Sequence, residues 1–91
     1  MQPNVQHEAA AGRFTTDVDG QQGYVEYEQQ GDVMTITHTI VPSAIGGRGI
    51  AGALVQAALE HARSESLKVV PSCSYADDWM RKHSEYEDLR A

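Results

Sequence analysis

The stretch VMTITHTIV (residues 33–41) and the glycine cluster with alanine-rich run that follows it, IGGRGIAGALVQAALEHARSES (45–66), narrow the choices for this chain most. A run so rich in β-branched side chains forms a strand. Pro42 stops it, because proline has no N–H to give to a ladder. From there Ile50, Leu54, Ala57, Ala58 and Ala62 recur at helical spacing, with Gln56, Glu60 and Arg63 pointing elsewhere. KVVPSC (68–73) is the next strand, reached through a helix and therefore expected parallel to 33–41. The frame is a β-α-β crossover with the apolar helix face on the sheet.

Upstream, GRFTT (12–16) is a short β-branched and aromatic run, ended by the turn-prone DVDGQQG. GYVEYEQQ (23–30) alternates, with Val25 and Tyr27 on one face and Glu26 and Glu28 on the other. QGD (30–32) is a hairpin turn signal. YADDWMRKHSEYEDL (75–89) reads as a short second helix, with Trp79 and Tyr86 as anchors. The expected order is β-β-β-β-α-β-α: an α/β (α+β) chain, with an antiparallel β-meander, then a β-α-β crossover and a short C-terminal helix. No segment is compositionally separate, so residues 1–91 are expected to form one domain.

Charge and cysteine usage exclude several function classes. A net charge of −6 argues against a nucleic-acid partner, whose phosphates need a basic surface. It suits a cationic acceptor such as an amine. The lone cysteine forms no internal disulfide, which fits a reducing, cytoplasmic setting. MQPNVQHEAA lacks the basic start and apolar run of a signal peptide. No stretch reaches the roughly 20 apolar residues that cross a bilayer, so no membrane partner is expected. With one cysteine and no H-x-x-x-H pair, no metal site is expected either.

Glycines at a helix start let the backbone approach a ligand and aim free N–H groups at it, where the helix dipole favours a phosphate. A plain flexible loop is the competing account. A P-loop is excluded, because the chain has no Gly-Lys pair. The dinucleotide fingerprint is literally present as Gly47, Gly49 and Gly52. However, five residues, PSAIG, separate it from its strand, and no acid stands at the tip of the next strand.

GGRGIA resembles the acyl-coenzyme-A pyrophosphate loop of GNAT-superfamily N-acetyltransferases, commonly Arg/Gln-x-x-Gly-x-Gly/Ala. Gly49 and Ala51 occupy the Gly and Gly/Ala positions, while Gly46 stands where Arg or Gln is usual and Arg48 is the nearest substitute. Three further elements, His38–Pro42, Val70–Tyr75 and His83–Tyr86, make residues 23–89 similar to the minimal, single-domain YjdJ-type GNAT subgroup, with Ser84 in place of a proline. The resemblance implies a compact GNAT-type fold and acetyl-CoA as co-substrate. It also implies transfer to an amine acceptor, either a protein lysine or a small amine. The cofactor contacts it implies are Ile40, Val41, Gly46, Gly47, Arg48, Gly49, Ile50, Ala51, Gly52, Ser72 and Cys73. A CoA-binding module without catalysis, acting as a sensor or interaction domain, is the alternative.

In larger members of that superfamily a tyrosine on the helix after the last motif strand often serves as general acid. The matching place here is Met80, which cannot donate a proton. Cys73 and Tyr75 remain, and in a strand they would share one side. Cys73 as nucleophile would carry the acetyl group as a thioester, which requires a thiolate and hence a basic neighbour. His38 is the first choice, in register with Met34, Ile36 and Ile40. Against these roles stand a satisfied core histidine, a buried thiol and a packing tyrosine. Pro71 is expected to interrupt the strand and help splay it from its neighbour. Packing is favoured over cover of the pantetheine arm for His83 and Tyr86, and solvated-face charge over polarisation of an acceptor amine for Glu26 and Glu28. His7 and His61 show no partner spacing.

Overall fold

The computed structural model describes residues 4–91; Met1, Gln2 and Pro3, the first residues of the stretch judged to lack a signal peptide, lie outside it. The strands are β1 (Gln6–Glu8), β2 (Arg13–Val18), β3 (Gln21–Gln30), β4 (Val33–Ile40) and β5 (Lys68–Pro71). Helix α1 (Ile50–Ser64) joins β4 to β5, and α2 (Ser74–Lys82) follows β5. The sheet order is β1-β2-β3-β4-β5, antiparallel except for β4 and β5, which run parallel as the crossover requires. The three-residue β1 has no apolar alternation to announce it.

Local chemistry explains the turns. Asp19 and Gly20 both take positive φ between β2 and β3, as a two-residue hairpin needs, and Gly31 does so between β3 and β4. Helix α1 buries Ile50, Leu54, Val55, Ala58, Leu59 and Ala62, a stripe at three- and four-residue spacing. It meets Phe14, Val25, Met34, Ile36 and Val69 from the sheet and Ala76 and Met80 from α2, all in one apolar cluster. Met80 is fully buried, so its place on α2 serves the core. On the opposite sheet face stand Glu26, His38 and Ile40, and Ile40 is exposed.

Four expectations are corrected. The second helix does not run through residue 89: it ends at Lys82, and a 3-10 turn, Ser84–Leu89, follows. His83 leaves helical dihedrals, stacks on Trp79 at 3.7 Å between ring centroids, and donates from Nδ1 to the Trp79 carbonyl at 2.8 Å. The second crossover strand ends at Pro71 rather than at Cys73. Cys73 and Tyr75 therefore share no strand: Cys73 caps α2, and Tyr75 lies in its first turn.

The fourth correction concerns His38. Glu26 pairs with His38 and Tyr27 with Ile36, so Thr37 is an extra residue, a β-bulge. One added residue inverts the alternation. Ile36 is fully buried under the helices, and Thr39, opposite buried Val25, returns to that face. His38 turns to the other face beside Glu26, with its side chain 64% exposed. It shares no row with Met34 and Ile36.

Leu54 is fully buried where α1 meets Gly23 of β3. Leu54→Ala should cost about 2–5 kcal/mol, read as a lowered urea midpoint at unchanged slope. A loss under about 1 kcal/mol would mean that α1 is not seated as described.

Candidate active site

The site forms where two parallel strands separate. The last β4–β5 pair is Ile36 with Pro71. The next N–H facing β4, that of Ser72, turns back across Pro71 to the Val70 carbonyl at 3.1 Å, and the Cys73 N–H instead donates to the Ile36 carbonyl at 3.1 Å. From Thr37 to Ile40, β4 continues without β5 beside it. The chain leaving β5 turns into α2, with Cys73 as N-cap and the Asp77 N–H donating to the Cys73 carbonyl at 3.0 Å.

That placement sets the chemistry of the thiol. Cys73 is half-buried and donates to Thr39 Oγ1 at 3.4 Å. Partial burial alone would push the thiol up. Once ionised, the sulfur accepts instead from the Thr39 hydroxyl and from the backbone of Ala76, Tyr75 and Thr39, and these bonds outweigh burial and hold its pKa below the ordinary value. A helix N-terminus is a recognised environment for a low-pKa cysteine. The neighbour that shifts Cys73 is thus a helix start and a threonine, while His38 pairs with Glu26 at 3.4 Å across β3. No hydrogen bond joins His38 to Cys73 among the described residues. The Ser74-x-x-Asp77 spacing, a capping-box pattern, was the available sign that a helix begins at this point.

The glycine loop forms the second part. Gly47 and Gly49 have φ of 77° and 74°, values that side chains with a Cβ rarely adopt. Gly49 is the N-cap of α1, and no side chain caps that end, so the first-turn N–H groups of Ile50, Ala51 and Gly52 face the loop opening. The Ile50 side chain itself is buried in the core, Val41 packs against the core, and Ser72 is exposed. A Cβ on Gly52 would stand 3.0 Å from Trp79 Nε1, so glycine there lets the indole of α2 lie against α1. Arg48 donates to Asp19 Oδ2 at 2.6 Å, tying the loop to the β2–β3 turn.

Between α1 and α2 lies a cavity of about 600 Å³. Arg48, Gly49 and Gly52 form one wall; Tyr75, Trp79 and Lys82 form the other. Partial burial pushes the Tyr75 phenol up, so it stays protonated at neutral pH. Two cations and the start of a helix dipole thus border one opening. Trp79, Lys82 and His83 were not assigned to a ligand from sequence, although their three- and four-residue spacing puts them on one face of a helix. His7 and His61 meet at 4.5 Å, with His7 stacked on Phe14; burial first, then His61, lowers the His7 pKa.

A smaller cavity of about 330 Å³ opens beside the bulge, lined by Glu26, Glu28, Thr37 and His38. No helix of the described residues is long and apolar enough to cross a membrane. Those residues also contain no cluster of three or more His, Cys, Asp or Glu side chains able to hold a metal ion.

Comparison with known proteins agrees with this architecture. The solution structure of a GCN5-like protein from Staphylococcus aureus superposes with a TM-score of 0.77 at 27% identity, over 99% of this chain and 89% of that one. Protein NATD1 of Gallus gallus is 33% identical over 82 residues, 87% of this chain and 74% of the relative. The Homo sapiens protein of that name is also 33% identical, over 87% of this chain and 73% of its own length. The model of the GCN5-related N-acetyl-transferase family matches residues 13–89, from the start of β2 to the end of the 3-10 turn. The chain therefore belongs to the GCN5-related N-acetyl-transferase family.

Proposed function

We propose that this chain is an acetyl-CoA-dependent N-acetyltransferase that moves an acetyl group to an amine, a single domain over residues 1–91 of the YjdJ-type subgroup, working in the cytoplasm. The observation that carries the proposal is the parting of β4 from β5 at Pro71, with a lowered-pKa thiol on one side and the α1 glycine loop leading to it. Gly46, Gly47, Arg48 and Gly49, with the N–H groups of Ile50, Ala51 and Gly52, hold the pyrophosphate. The pantetheine arm lies in the gap, along Ile40 and Val41 on one strand and Ser72 and Cys73 on the other.

Cys73 stands where the thioester arrives. Its thiolate attacks the acetyl carbonyl carbon, an S–C bond forms, and the bond to the CoA sulfur breaks. Tyr75 supplies the proton to the departing CoA thiolate. The acetyl group then passes from Cys73 to a neutral amine, whose surplus proton returns to the Tyr75 oxygen, and the thiolate is restored. Direct transfer, with Cys73 orienting the thioester, uses the same residues and differs in leaving no acetyl on the protein.

Calorimetric titration tests the loop. Acetyl-CoA should bind with a Kd inside the usual substrate range of about 1 µM to 1 mM. Gly49→Val, which forces a β-branched residue into left-handed backbone, should weaken binding about tenfold or more. Binding of NAD in place of either CoA species would overturn the assignment.

The thiol has its own test, the pH dependence of alkylation by iodoacetamide. Because hydrogen bonds favour the thiolate, its midpoint should fall below the free-cysteine value of about 8.5. Thr39→Val removes one of those bonds and should move the midpoint up. A midpoint at or above the free value would remove Cys73 as nucleophile. Intact mass after incubation with acetyl-CoA, with Cys73→Ala as control, then separates the thioester route from direct transfer.

A further inference from the structure

We propose that the cavity beside the bulge is the acceptor site, that it takes an aliphatic primary ammonium, and that His38, positioned by Glu26, removes its proton. This rests on the N-acetyltransferase assignment above and adds which amines are accepted and by which residues.

Four observations meet at this place. The bulge is located at the residue where β4 loses β5, so Thr37 both lines the cavity and is the first β4 residue past the last β4–β5 pair. Segment 37–39 is therefore the partition between two compartments: Thr37 and His38 border the cavity, and Thr39 touches the Cys73 thiol. The cavity is lined from β3, β4 and the β1–β2 connection at Ala11 and Gly12, on the sheet face that carries Glu26 and His38, while the glycine loop and α1 lie on the other. Acceptor and nucleotide thus approach from opposite sheet faces without competing for space.

The lining chemistry selects the ligand. Glu26 and Glu28 are two residues apart on β3 and point to one face. The nearby cation from β2, Arg13, opposite Glu26, is already held by Glu8 at 2.7 Å. His38 Nδ1 lies 3.4 Å from Glu26 Oε1, close enough to orient the ring. Thr37 anchors the bulge by donating to the Glu26 carbonyl at 3.2 Å. Two carboxylates around an imidazole, in a chain of net charge −6, favour a cation over a neutral or anionic acceptor.

The steps balance. R–NH3+ gives one proton to His38, which releases it to solvent. The neutral amine attacks the acetyl carbonyl, an N–C bond forms, and the C–S bond breaks. The second amine proton leaves with the sulfur as CoA–SH in direct transfer, and in the two-step route returns to Tyr75 as Cys73 departs as thiolate.

Amide chemical-shift mapping tests this without turnover. The probes are spermidine, a lysine-containing peptide, and that peptide with norleucine for lysine. The expected result is saturable shifts at residues 26–28 and 37–38 for the two cationic probes, with none from the norleucine control. The Glu26→Gln, Glu28→Gln double variant should weaken them about tenfold, while acetyl-CoA still shifts residues 47–52, which also shows that the variant folds. The relative affinity of peptide and spermidine identifies the source of the amine. In steady state, His38→Gln should lower kcat about 100-fold and remove the acidic limb of the pH profile, with KM for acetyl-CoA unchanged. Equal binding of the norleucine control, shifts at another site, or no shifts would overturn the proposal. So would a His38→Gln variant with unaltered kcat and pH profile. Absence of acetyl-CoA shifts in the unaltered protein would instead defeat the transferase assignment.

Discussion

Pro71 fixes its own φ at about −65°, and the arrangement of this molecule follows from the tight turn it centres at the end of β5, where the Ser72 N–H donates to the Val70 carbonyl. A parallel pair needs evenly spaced hydrogen bonds from both strands. Past β5 the next donor of that series, the Ser72 N–H, is used up within the turn, and the Ile36 carbonyl is taken by Cys73 instead. The chain turns away at once into α2, while β4 runs on. One proline thereby opens a gap in the sheet, puts a cysteine at the gap, and sets that cysteine against the N-terminus of a helix. Burial of Ala76 and Met80 beneath α2 holds the arrangement by apolar contact.

The bulge at Thr37 adds a second constraint at the same level of the sheet. Side-chain direction in a strand has period two, so one inserted residue exchanges the faces of everything beyond it. In an unbulged β4, Ile36 and His38 would point together into the core, and an imidazole would have to be buried there. With the bulge, Thr39 takes the inner position against the thiol and His38 stands outside with Glu26. Two polar residues that a regular strand would misplace are each set where their chemistry can be satisfied.

What was legible in the sequence divides along the same line. The helix stripe from Ile50 to Ala62, the alternation of 23–30, the parallel crossover and the glycine loop all depend on spacing within one segment, and all were readable. The bulge was not, because TITHTIV carries no glycine or proline to mark it: register belongs to a pair of strands. The same limit hid the partner of His38. Cys73 was read as the end of the strand, which stops two residues earlier at Pro71, and its shift was sought in the imidazole of His38. The helix beginning one residue later supplies it, with Thr39. The break at His83 depends on its stack with Trp79 and its bond to the Trp79 carbonyl, and no propensity scale encodes those contacts.

An excess of carboxylates does not bar an anionic ligand, because the field at a site is local. At physiological ionic strength charges are screened over about 8 Å, so carboxylates across the molecule contribute little at the loop. What counts there is Arg48, Lys82 and the uncapped N-terminus of α1, set against the single carboxylate of Asp78 in the same lining. Arg13, Arg63, Arg81 and Arg90 are engaged in ion pairs with Glu8, Asp88, Asp77 and Glu87. Lys82 makes no ion pair among the described residues, and Arg48 is held only by exposed Asp19. An exposed pair of that kind is worth about 0–1 kcal/mol, less than a charge-assisted bond to phosphate in a partly enclosed cavity. On the proposed function, exchange of Asp19 for a phosphate oxygen is therefore favourable, and the carboxylate that gives up Arg48 returns to water at the surface.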